Sequence, residues 1–320
     1  MTLHPETVLA QSEMNSVLRA GTLDRPYLSR FARAVKSLDD LEPTIGAVLA
    51  EHIEPGESIR QIIAAPRQAV LRSRHKERDW LRMLLPWELT PDWVLVLMEE
   101  RVLVAAVDQP GAMPVVISTR ITDILSFEMG AILLHARLEW TFSSQGSTDH
   151  ARIHYNAVCQ RLFREALDYM RHGPSAPQAA RGDRHLEYLY GLPFKFMNII
   201  MHNLLLPGEQ VQAVVYQPAI WTTRFRLFRR QQTAAMALVL TDSHILVAEE
   251  ELTGRTDHWG LIARFFPRCH IQHATMEQES ACIWLRLALE QRGATQKVRL
   301  AFESGAETAL GRMLALLPSQ

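Results

Sequence analysis

The chain has 320 residues, 48% hydrophobic and 22% charged, enough for about two domains with cores of their own, which excludes wholesale disorder. With 34 Lys and Arg against 35 Asp and Glu the net charge is −1, so any attraction to nucleic acid or membrane has to be local. Three scattered cysteines, Cys159, Cys269 and Cys282, exclude a disulfide framework and a CxxC metal site.

Residues 1–27 carry no firm pattern. Leu28, Phe31, Ala32, Val35 and Leu38 then fall at helical spacing, and residues 1–43 read as an N-terminal helical arm. Ile45, Val48, Leu49 and His52 continue that spacing into the next segment. After them Pro55-Gly56-Glu57 leads into an alternating, strand-like run from Ile59 to Ala64. The run Val94 to Val104 reads as two short strands around a polar turn, Met98 to Arg101. Strand-like pieces follow at Val115–Thr119, Ile121–Phe127, Ile132–Phe142 and Ala151–Tyr155. Asn156 then caps a predicted helix with Val158, Leu162, Phe163, Ala166, Leu167 and Met170 on one face.

The stretch from His172 to Gln178 is rich in chain breakers, and 173–191 reads as a linker. Beyond it the same order is written again. Phe196, Ile199, Ile200 and Leu204 sit at helical spacing, and Pro207-Gly208-Glu209 repeats the earlier tripeptide at an offset of 152 residues. Val211–Tyr216 matches the first strand, and Ala237–Val247 matches the hairpin at an offset of 143, with Thr241 to His244 as its turn. The later pieces are Trp259–Phe265, Cys269–Met276, Ala281–Glu290 and Gln296–Phe302. A closing helix bears Ala306, Leu310, Met313, Leu314 and Leu317, and Ser304 with Glu307 has capping-box spacing.

These residues resemble the bacterial pleckstrin-homology-like (PH-like) domains. The most specific piece is Leu240-Thr241-Asp242-Ser243-His244-Ile245-Leu246, followed by Ile121-Thr122-Asp123-Ile124. The resemblance implies an α+β, mainly β chain of two tandem PH-like domains, 44–172 and 192–320. Each would be a bent β-sandwich or partly open barrel closed by its C-terminal helix. Both closing helices lack the tryptophan typical of eukaryotic members, which sets the chain apart from the phosphoinositide-binding domains.

Basic residues cluster between the first strand and the hairpin of each copy. The second copy has Arg224, Arg226, Arg229 and Arg230; the first has Arg67, Arg72, Arg74, Lys76, Arg78 and Arg82. In lipid-binding members of the resembled family this loop meets head groups. At about 1 kcal/mol for each cation near an anionic leaflet, four arginines supply roughly 4 kcal/mol, near a thousandfold partition. The competing expectation is a solvated charged loop, or strand arginines that pair with Glu249, Glu250 and Glu251. Trp221, Phe225 and Phe228 among the arginines also fit the stacking of single-stranded nucleic acid.

His150 with His154, and Cys269, His270, His273 and Cys282, are the nearest approach to metal-ligand patterns, and no cofactor or metal is expected from them. The chain has no GxGxxG, GxxxxGK[ST], HExxH, GxSxG or CxxC motif. Tyr188, Tyr190, Leu192, Phe194 and Phe196 form an apolar-aromatic cluster that either seats the second leading helix or meets a partner. Met1 to Glu6 lacks a secretory pattern, and the longest run free of Asp, Glu, Lys and Arg, Gln210–Thr223, is too short to span a bilayer. The expectation is therefore a cytoplasmic, non-catalytic interaction module. Its partner would be a protein or an anionic lipid surface, met through Arg72, Arg74, Lys76, Arg224, Arg226, Arg229 and Arg230. Single-stranded nucleic-acid binding and a hydrolase-type activity stand below it as alternatives.

Overall fold

A computed structural model describes residues 30–71, 87–109, 111–132, 134–173, 186–224, 228–250, 260–279 and 282–317. The chain is mainly β. It opens with β1 (Arg33–Val35), a 3₁₀ turn (Leu38–Asp40) and helix α1 (Pro43–Glu51). Then come β2 (Ile59–Ala65), β3 (Ala69–Leu71), β4 (Trp87–Leu89), β5 (Asp92–Met98), β6 (Arg101–Val107) and β7 (Val115–Arg120). A 3₁₀ turn (Ile121–Asp123) leads to β8 (Ile124–Ile132), β9 (His135–Ser144), β10 (Ser147–Asn156) and helix α2 (Gln160–His172).

The second half repeats this order. Helix α3 (Phe194–Ile199) runs on through a π turn (Ile200–Leu204) to β11 (Val211–Gln217), β12 (Ile220–Arg224), β13 (Phe228–Thr233), β14 (Met236–Thr241), β15 (His244–Glu250) and β16 (Leu261–Pro267). After a 3₁₀ turn (Arg268–His270) come β17 (Ile271–Glu279), β18 (Cys282–Gln291), β19 (Ala294–Glu303) and helix α4 (Glu307–Leu314). From β7 and β16 onward the two copies keep a constant offset of 147 residues, down to the positive-φ turns Gln145-Gly146 and Arg292-Gly293. Each unit is therefore a helix, four strands of one sheet, three strands of the next, and a final helix.

The sheets do not respect the boundary between units. The first holds β1-β2-β5-β6-β7 and the last β17-β18-β19, but the middle one runs β10-β9-β8-β16-β15-β14-β11 across both copies. Its seam is the antiparallel pair β8–β16, where Phe127 faces Phe265 and Glu128 faces Arg264. Alternation along these strands sends side chains into two cores. Phe127, Met129, Val239, Leu246 and Phe265 join the first core with α2 and α3. Leu125, Leu238, Leu240, Val247 and Phe266 join the second with β17–β19 and α4. A third cluster lies on the outer face of the first sheet, where Val94, Val96 and Leu103 pack under Ile45 and Leu49 of α1.

Several expectations change. Arg33–Val35, placed by spacing on a helix, is a strand paired with β2. Residues three apart share a face of a helix but stand on opposite faces of a strand, and here Ala32 joins the first core while Val35 joins the third. The hairpin turns are two residues long, Glu99-Glu100 and Asp242-Ser243; the outer pair of each expected turn belongs to the strands. Asn156 does cap, accepting a bond from the Val158 amide at 3.0 Å, although onto the 3₁₀ turn that introduces α2, which leaves Val158 exposed. Ser304 lies inside a 3₁₀ turn and makes no capping bond. Of the expected linker, 174–185 lies outside the described residues, while Leu186–Leu189 forms a 3₁₀ turn with Leu189 fully buried.

Candidate functional site

The segment joining the first two strands of the main sheet is built alike in both units. β3 pairs with β4, and β12 with β13, as separate two-stranded hairpins that join no other sheet among the described residues. Arg224, Arg229 and Arg230 lie on the second hairpin, with Arg229 opposite Thr223 and Arg230 opposite Thr222 in register. Arg72, Arg74, Lys76, Arg78 and Arg82, and likewise Phe225 and Arg226, lie outside the described residues. Each hairpin exposes a large apolar side chain, Leu89 at 68% and Trp221 at 47%. Arg67, just ahead of the first hairpin, is held by Asp92 at 2.6 Å.

The glutamates expected to compete for the hairpin arginines have other partners. Glu249 pairs with Arg264 at 2.7 Å and Glu250 with Lys195 at 3.0 Å, while Glu251 is outside the described residues. Burial pushes the Glu249 carboxyl up, against the pull of Arg264.

The most enclosed charges form around the second Pro-Gly-Glu. The gap between α3 and β11 is closed by this turn, and it carries the Glu209 side chain inward, to 2% exposure. One carboxylate oxygen, Oε2, accepts from the Leu206 amide at 2.8 Å and faces Arg171 Nη2 at 3.3 Å. The other, Oε1, lies 2.6 Å from Thr241 Oγ1, 2.8 Å from Ser243 Oγ and 3.2 Å from His244 Nδ1. Arg171 comes from the last turn of α2, is fully buried, donates to the Leu204 carbonyl at 2.7 Å and lies 4.0 Å over the Phe265 ring. Burial alone would raise the Glu209 carboxyl, but bonds from His244 and Thr241 and the Arg171 charge hold it well below the usual carboxylate range. Burial also pushes His244 down, so its imidazole is the neutral form near pH 7.

A serine, a histidine and a glutamate in contact invite a hydrolase reading. A triad needs the acid on one ring nitrogen and the nucleophile on the other. Here Ser243 Oγ, at 2.9 Å, and Glu209 share Nδ1, while Nε2 is buried with no partner among the described residues. The group holds β14, β15 and α2 together; it is not arranged to pass a proton to a substrate.

At the seam between units lies a cleft of about 240 Å³, lined in part by Ser126, Glu128, Glu139, Arg264, Gln296 and Lys297. Its charges are largely matched across the sheet: Glu128 with Arg137 (2.6 Å) and Arg264 (3.2 Å), and Glu139 with Arg152 (2.5 Å). Among the described residues no group of three or more His, Cys, Asp and Glu could hold a metal. His270 is buried in a 3₁₀ turn and His273 is exposed on β17, so they do not converge. The aromatic cluster divides: Leu192 and Phe196 are buried, while Tyr188, Tyr190 and Phe194 are exposed.

Sequence reasoning marked Glu209 and the Thr241–His244 turn as pattern, without seeing that they touch, and passed over Arg171. The available signal was the return of glutamate at the same place in both copies. No protein-family model matches the chain, and no curated protein matches it in sequence. No helix among the described residues is long and apolar enough to cross a membrane.

Proposed function

We propose that the protein is a non-catalytic module of two tandem PH-like units that docks on an anionic surface through its two matched hairpins. The order of elements in each unit, four strands, three strands and a closing helix, supports the PH-like reading. The observation that carries the docking is the pair of hairpins themselves. Both leave the frame between the first two strands of the main sheet, both expose an apolar side chain, and both fall in the basic stretches of the sequence. An exposed Trp221 beside arginines suits a surface that is apolar beneath and anionic above. Two such contacts in one chain bind together more tightly than either alone. A cytoplasmic location belongs with this reading.

Sedimentation with vesicles containing anionic lipid, beside neutral vesicles, tests it. Binding is expected only to the anionic vesicles and should weaken as salt rises. A variant with Arg224, Arg226, Arg229 and Arg230 changed to Ala should lose most of it. Equal retention by wild type and variant overturns the hairpin site. A protein partner is the second reading, favoured by the exposed Tyr188, Tyr190 and Phe194 on one short segment.

A further inference from the structure

The seam β8–β16 joins the fifth strand of one unit to the fourth strand of the next. Each unit has both strands, so among the described residues one of each is left unused. β7 is the counterpart of β16, and among the described residues it is an edge strand paired only with β6. β17 is the counterpart of β8, and it is likewise an edge, paired only with β18. We infer that β7 of one copy of this chain pairs antiparallel with β17 of another, repeating between chains the seam already made within one.

The 147-residue offset gives the register. At the internal seam Ala263 faces Met129, Arg264 faces Glu128 and Ile262 faces Gly130. The corresponding pairs between chains are Val116 with Met276, Ile117 with Thr275 and Val115 with Glu277. The bulge at the start of β8, between Ile124 and Ser126, recurs at the start of β17, between Ile271 and His273, so the two strands present the same line of pairing.

The β7 edge is also unguarded, whereas β17 keeps its acidic charges, Glu277 and Glu279, within its last three residues. Sheet proteins protect free edges with charges, prolines or very short strands. β7 reads Val-Val-Ile-Ser-Thr before its first charge, Arg120, and Val115 is 64% exposed. Paired β-branched residues such as Ile117 and Thr275 suit a sheet seam.

One component of the internal seam is absent from this one. Arg171 reaches across the units to Glu209, but the position 147 residues on is Pro318, and Glu57 already has Arg101 in its own unit. The contact between chains is thus the weaker one and depends on concentration. It is head-to-tail, so each chain added covers one free edge and brings another, an open assembly always keeps one β7 and one β17 free, and growth passes beyond dimers into rings or filaments.

Neither hairpin takes part, so this pairing stands or falls apart from vesicle binding. Sedimentation equilibrium of the full chain over a range of concentrations at low salt tests it. The weight-average mass should rise past that of a dimer. Val115→Glu sets a carboxylate opposite Glu277 and should weaken association about twofold to fivefold, and Val115→Lys should strengthen it by a similar factor. Mixing Val115→Glu chains with Glu277→Lys chains should restore association between the two. Circular dichroism confirms that each variant is folded, as expected for exposed positions. A monomer at every concentration, a plateau at dimer, or the same change from both Val115 variants overturns the pairing.

Discussion

The two Pro-Gly-Glu turns hold the same bonds in different surroundings. Glu57 Oε2 accepts from the amide three residues before it, Glu54, at 2.8 Å, as Glu209 Oε2 does from Leu206. In each unit a guanidinium bridges the glutamate and the carbonyl five residues before it: Arg101 to His52 at 2.8 Å, Arg171 to Leu204 at 2.7 Å. The origin of the arginine differs. Arg101 lies on the hairpin strand of its own unit, at the position His244 takes in the second. Arg171 arrives from the closing helix of the unit before. Glu57 keeps 24% exposure and Glu209 has 2%. One tripeptide thus fixes a hairpin in the first unit and welds two units in the second. The motif sets the geometry, while what packs over it sets the energy.

Removing the second glutamate should break that comparison most visibly. Glu209→Gln leaves buried Arg171 with Asp168, 3.7 Å away and partly exposed, as its remaining counter-charge, a loss of about 3 kcal/mol in urea unfolding. Arg171→Ala should cost a similar amount, since it strands Glu209 and empties the space over Phe265. If either variant is as stable as wild type, the weld is not what holds the units together.

The next effect is acid sensitivity. Glu209 and His244 both have lower pKa values folded than their ordinary values of 4.5 and 6.5. The unfolded chain therefore takes up more protons on acidification, and their stabilisation is complete above pH 6.5. It should fall as pH drops through 6.5 and more steeply below 4.5. His172 and His270, also lowered chiefly by burial, add to the same slope, while Asp168 and Glu249, raised by burial, oppose it in the carboxylate range. Thermal midpoints from pH 8 to 3 should show this fall in the wild type and a flatter limb below 4.5 in Glu209→Gln. The smallest effect belongs to Glu57→Gln, about 1 kcal/mol by urea unfolding, because its ion pair is partly hydrated. Equal losses for Glu57→Gln and Glu209→Gln would remove the distinction between the two turns.

Much of the architecture is legible in the sequence. The repeated tripeptide, the matched hairpins and the two closing helices all reappear, because period-2 and period-3.6 patterns report which face each segment buries. The expected helix at 28–38 failed at Arg33–Val35, since a pattern with apolar residues on both sides serves a strand lying between two cores equally well. The buried cluster around Glu209 was legible only in part. Its members come from α2, a turn and a hairpin 70 residues apart, and spacing along the chain carries no signal for such a meeting.

By itself the sequence determined the repetition: the returning tripeptide, the matched alternating strands around each polar turn, and the final helix of each copy. Tertiary structure alone decided that the units share a seven-stranded sheet and which arginine serves Glu209. It also decided which strand edges were left over. Those outcomes depend on backbone hydrogen bonds between strands and on desolvation of charges brought together from distant segments. Neither quantity belongs to any local stretch of residues.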